Sequence, residues 1–85
     1  MENYELTVVL DEKATVAKKK KVEETIEKMI TLLKGKLGKV ADWGVIGSWS
    51  YLFFPLELEK SSVKMIATKL SQEDDIKKHL LIRKD

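Results

Sequence analysis

Chemistry in this 85-residue chain would have to come from a narrow set of side chains: one histidine, fourteen acids, sixteen lysines and arginines, and no cysteine. His79 is the sole imidazole. It stands at the head of an apolar run, with no partner evident that would make it a general base, and reads as a packed or half-exposed structural residue. Glu73, Asp74 and Asp75 are consecutive, so their carboxylates point in different directions. A hard cation wants spaced ligands, as in a calcium-binding loop, and the run reads as a solvated loop. Gly35-Lys36-Leu37-Gly38-Lys39 has a superficial likeness to a phosphate loop. It lacks the flanking pattern and follows a helix where a strand should precede it, so the spacing predicts a helix end and a turn. Without cysteine there is neither a disulfide nor a thiolate metal site. No catalytic residue, metal ligand or cofactor follows from these residues, and no small-molecule substrate is expected.

Phosphate binding is the chemistry that remains. The net charge is only +2, but residues 13–21 hold five lysines and no acid. Residues 76–85 hold Lys77, Lys78, Arg83 and Lys84 against Asp85 alone. Clusters of this kind are the electrostatic footprint of a phosphate-binding surface. The run Lys18-Lys19-Lys20-Lys21 wraps around a helix, cannot face one way, and is followed closely by Glu23, Glu24 and Glu27, so it reads mainly as a solvated face. The second cluster is the better candidate, because a strand alternates its side chains and can present some of them beside a sheet surface.

The elements that must position these groups follow from periodicity. Tyr4, Leu6, Val8 and Leu10 alternate with Glu5, Thr7 and Val9, the pattern of a half-buried strand. Thr15 is placed to cap a helix whose apolar residues fall at Val22, Ile26, Met29, Ile30 and Leu33, with Gly35 ending it. Residues 39–44 read as a second strand. Tyr51 to Leu58 reads as a third, with Leu52, Phe54, Leu56 and Leu58 on one face and Pro55 demanding an edge or a bulge. Ser61 or Ser62 is placed to cap a second helix with Val63, Ile66, Ala67 and Leu70 inward, and Leu80-Leu81-Ile82 lies in a last strand. The order β-α-β-β-α-β predicts an α+β, ferredoxin-like fold for residues 1–85 as a single domain: a four-stranded antiparallel sheet with two helices on one face.

The other sheet face is then open. It would show Glu5, Thr7, Val9, Tyr51, Phe53 and Glu57, too apolar for a surface meant only for water, and a protein partner over Thr7, Val9, Tyr51 and Phe53 is expected. The basic and glycine-spaced aromatic order of an RNA-recognition motif is absent from Ser50-Tyr51-Leu52-Phe53-Phe54. The longest apolar run is far below the ~20 residues that cross a bilayer, and the N-terminal residues include acids where a signal peptide carries bases. No membrane partner is expected, and a soluble chain not exported by that route is.

Three segments carry a family resemblance: Tyr4-Glu5-Leu6-Thr7-Val8-Val9-Leu10; Gly38-Lys39-Val40 leading to Asp42-Trp43-Gly44; and Glu73-Asp74-Asp75-Ile76 followed by Leu80-Leu81-Ile82-Arg83-Lys84. In this order, over nearly the whole chain, they resemble bacterial small-subunit ribosomal protein six. The resemblance implies a non-catalytic component of the small ribosomal subunit, cytoplasmic and in the ribosome. Such a component binds small-subunit ribosomal RNA together with ribosomal protein eighteen. It also implies RNA contacts from Lys77, Lys78, Arg83 and Lys84, supported by Tyr4 and Trp43. One stretch departs from the family: only Val45 to Ser50 separates Gly44 from Tyr51, so the extended hairpin arm between the second and third strands is missing. The alternative reading is a ferredoxin-like regulatory or protein-interaction module that dimerises through its open sheet face.

Overall fold

The computed structural model describes residues 1–84. Its elements are β1 (Glu2–Asp11), α1 (Val16–Leu32), β2 (Lys36–Leu37), β3 (Ala41–Ile46), β4 (Trp49–Leu58), a single 3-10 turn at Lys60–Ser62, α2 (Val63–Ser71) and β5 (Lys78–Lys84). Among the described residues β1 and β4 are the inner strands, β5 pairs only β1, and β2 and β3 both pair the far side of β4, all antiparallel. This is the ferredoxin-like β-α-β-β-α-β arrangement, with the helices on one face.

The expected four strands are five, and the reason lies in Pro55. The carbonyl of Pro55 accepts the N–H of Gly38 at 2.7 Å, so Pro55 turns its backbone toward the β2/β3 side. Its nitrogen, which has no hydrogen to give, faces that same side. There the ladder breaks: β3 pairs as far as Phe53, and β2 takes over at Leu56. Pro55 thus sits in an inner strand rather than at an edge; the expected second strand over 39–44 is observed as β3, and the short β2, which the sequence did not indicate, precedes it across the break.

Alternation in β1 and β4 sends Leu6, Val8, Leu10, Leu52, Phe54, Leu56 and Leu58 inward against Val22, Ile26, Met29 and Ile30 of α1 and Ile66 and Leu70 of α2. Burial of each such side chain contributes about 1.5–3 kcal/mol. Thr15 caps α1 as expected, its Oγ1 accepting the Lys18 N–H at 3.1 Å. The C-terminal end differs from expectation. Lys34 takes the left-handed conformation (φ 60°), while Gly35 donates to the Ile30 carbonyl at 2.8 Å and Lys34 to that of Thr31 at 3.0 Å. Gly35 is needed for room: a Cβ there would lie 2.5 Å from the Glu57 carbonyl oxygen. Neither serine caps α2, because Ser62 is already helical and its hydroxyl makes no capping bond.

Candidate protein and nucleic-acid interface

Antiparallel residues directly opposite one another share a face. The registers therefore align four rows on the uncovered side of the sheet: Tyr51, Val9 and Lys78; Phe53, Thr7 and Leu80; Pro55, Glu5 and Ile82; and Glu57, Asn3 and Lys84. Thr7, Val9, Tyr51 and Phe53 are brought together as expected, each half-buried.

Trp43 joins them through a bulge. Asp42 opposes Leu52 and Gly44 opposes Tyr51, so Trp43 is the extra residue. The bulge is held by Asp42, whose Oδ1 accepts the Gly44 N–H at 2.7 Å and whose Oδ2 accepts from Lys19 Nζ at 3.2 Å. The backbone bond and the lysine together hold its carboxyl below the usual carboxylate range, against a smaller opposing effect of desolvation. Gly44 supplies the positive φ of 75°. The indole that results stacks on Phe53, centroids 5.0 Å apart and planes 13° from parallel. Beyond it the hairpin closes through Gly47-Ser48 with a positive φ of 65° at Gly47 alone, the pattern of a type II′ turn. Strand pairing reaches Ile46 and Trp49, further than the sequence indicated, and Trp49 lies opposite Asp11 on the open side.

Leu80 and Ile82 belong to this surface and were missed. They are 56% and 50% exposed, comparable to Trp43 at 50%, and they extend the apolar face across β1 to β5. Three consecutive apolar residues give no alternation by which to say which of Leu80, Leu81 and Ile82 points outward; the register settles it.

The expected RNA residues are dispersed. Lys78 and Lys84 stand on the open side at opposite ends of β5, Lys84 with Glu5 at 3.9 Å. Arg83 lies on the helix side opposite Tyr4 and holds Glu2 at 3.0 Å. Lys77 precedes the strand, near Lys13, Lys18, Asp74 and Asp75, and Asp75 is paired with Lys18 at 3.4 Å. Tyr4 requires a correction as a surface residue. Its ring is buried in the core, where its place in the alternation puts it, and its hydroxyl donates to Glu2 Oε2 at 3.0 Å. Burial first, then the Glu2 carboxylate, raises its pKa. His79 lies half-buried opposite Val8 on the helix side. Among the described residues no helix is long and apolar enough to cross a membrane, and no three His, Cys, Asp or Glu side chains gather where they could hold a metal.

The architecture is a ferredoxin-like domain with one sheet face uncovered. Among solved structures, 30S ribosomal protein S6 from Thermotoga maritima is similar over 98% of this chain and 87% of its own, with a TM-score of 0.85 and 15% identity. The C-terminal domain of the Mycobacterium tuberculosis MgtC protein superposes with a TM-score of 0.78 at 13% identity, over 99% of this chain and 88% of that one. The P2 domain of the Thermotoga maritima chemotaxis kinase CheA, solved in complex with the response regulator CheY, gives 0.67 at 13% identity over 98% of both chains. No protein-family model and no curated protein matches the sequence. At these identities the likenesses define the fold.

Proposed function

We propose that the chain is a non-enzymatic component of the bacterial small ribosomal subunit, cytoplasmic, that binds small-subunit ribosomal RNA together with ribosomal protein eighteen. The observation that carries this reading is the uncovered sheet face, where Trp43, Phe53, Tyr51, Val9, Leu80 and Ile82 form a continuous apolar patch rimmed by charge. A patch of this kind on a small domain is a docking surface. Fold alone does not assign a function. The likeness in shape to ribosomal protein S6 and the resemblance of the three sequence segments together supply the setting.

The docked protein takes the open face, through Thr7, Val9, Tyr51 and Phe53, with Trp43 now on this side rather than among phosphate contacts. Lys77 and Arg83 lie off that face, and RNA phosphates are theirs. Lys78 and Lys84 stand at the boundary between the two surfaces. Phosphate contacts position a protein without reading sequence, so recognition rests on RNA shape and on the partner. Binding to folded small-subunit RNA fragments should weaken with salt and strengthen when ribosomal protein eighteen is added. Lys77→Glu combined with Arg83→Glu should weaken it further; unchanged affinity would remove these residues from the RNA surface.

The same apolar face favours a second reading, a module that dimerises through it. A homodimer indifferent to RNA in sedimentation would select that reading.

A further inference from the structure

β5 is bonded to β1 on one side only, so among the described residues its outer side carries backbone N–H and C=O groups with no strand partner. Its open-face side chains run Lys78, Leu80, Ile82, Lys84: two exposed aliphatics bracketed by two exposed lysines. A second copy fits this edge poorly in either symmetric register. Antiparallel pairing about Leu81 would set Lys78 against Lys84 of the second copy and His79 against Arg83, and parallel pairing in register would set like against like throughout. Lysines on an edge are a common guard against self-association, but a guard does not call for large aliphatics between them. A phosphate chain would suit the lysines and leave both the aliphatics and the main-chain groups unused.

We propose that the outer edge of β5 accepts an extended acidic segment of another protein as an added strand, its apolar side chains beside Leu80 and Ile82 and its carboxylates beside Lys78 and Lys84. Main-chain bonds give such an addition its affinity, and alternate side chains give it selectivity. Charge complementarity favours it: Lys84 is held only loosely by Glu5 at 3.9 Å, and Lys78 forms no ion pair among the described residues. The added strand widens the open face, with its own apolar residues continuing the rows that pass through Phe53 and Pro55. This inference rests on the protein-docking half of the proposed function and does not require the assembly to be ribosomal.

The test titrates the isotope-labelled chain with the peptide acetyl-Glu-Thr-Ile-Thr-Val-Thr-Glu-amide and with a version carrying Lys at both ends. The acidic peptide should shift and protect amides of residues 78–84. The double variant Lys78→Glu, Lys84→Glu should bind it about tenfold more weakly and prefer the lysine-flanked peptide instead. Equal binding of both peptides by the unmodified chain, or amide changes that leave β5 untouched, would overturn the proposal. So would a single-stranded RNA that perturbs β5 where the acidic peptide does not. Failure to travel with ribosomal subunits would sink the ribosomal setting alone, because the peptide titration contains no ribosome.

Discussion

Trp43 lies flat on Phe53, 5.0 Å between ring centroids, although the two residues belong to different strands and Trp43 has no opposite number in the ladder. The bulge exists to make that contact: Asp42 fixes the turn of the chain, Gly44 permits it, and the indole is delivered onto the uncovered face. The indole is half-exposed over a half-buried ring, and a stacked aromatic pair on an uncovered face has the properties of an interface anchor. Trp43→Ala should lower the affinity of the docked protein by about 2 kcal/mol. It should change the stability of the free chain by only about 0.5–1.5 kcal/mol, the worth of an aromatic pair. Titration calorimetry beside urea unfolding separates the two effects, and equal losses in both would make Trp43 a structural residue only.

Asp42 makes the hairpin sensitive to acid. A carboxyl whose folded-state pKa lies below its unfolded value contributes stability above the unfolded pKa and loses it as pH falls through the folded one. Urea midpoints should therefore fall below about pH 4, the ordinary carboxylate range. Part of that fall should vanish in Asp42→Asn, which keeps an acceptor for the Gly44 N–H but has no charge to lose. An unaltered acid limb in the variant would show that Lys19 and Asp42 are not coupled to folding.

Two adjacent residues at the end of α1 should respond in opposite directions. Lys34→Gly relieves a left-handed side-chain residue and should stabilise the chain by about 1 kcal/mol. Gly35→Ala would drive a methyl against the Glu57 carbonyl oxygen and Leu58 Cδ2, which a Cβ would approach to 2.5 and 2.6 Å. A loss of about 2 kcal/mol or more is expected from such overpacking against backbone. Thermal denaturation of both variants decides it.

Ser50 is fully buried on the helix side of β4, and its hydroxyl has no hydrogen-bond partner among the described residues. Removing an unsatisfied buried hydroxyl recovers its desolvation penalty, so Ser50→Ala should stabilise by about 1 kcal/mol. A destabilised variant would mean that the hydroxyl is satisfied in solution, for instance by a bound water.

The sequence makes legible whatever periodicity controls. Tyr4 to Leu10 and Leu52 to Leu58 alternate cleanly, the α1 apolar positions fall at helical spacing, and the open face was readable from Thr7, Val9, Tyr51 and Phe53. What was not legible depends on contacts between strands. Pro55 signalled an interruption, but whether it lay at an edge or faced a break in a neighbouring strand depends on which side its nitrogen points. Leu80-Leu81-Ile82 hid two open-face residues because three apolar neighbours carry no phase. Tyr4 drew two incompatible expectations, core from alternation and RNA surface from resemblance, and alternation prevailed because burying the ring completes the row with Leu56. The basic residues near the end of the chain form one cluster in sequence and four locations in space, since the strand's length separates Lys78 from Lys84, its alternation turns Arg83 to the other face, and Lys77 precedes it.

The most direct test of the ribosomal reading is sedimentation. The tagged chain is purified from its native cells and its lysate resolved on a sucrose gradient at low and high salt. The chain is expected to travel with small ribosomal subunits at low salt and to be released as salt rises. A chain that stays at the top of the gradient at both salts, as a monomer or a homodimer, would contradict that reading.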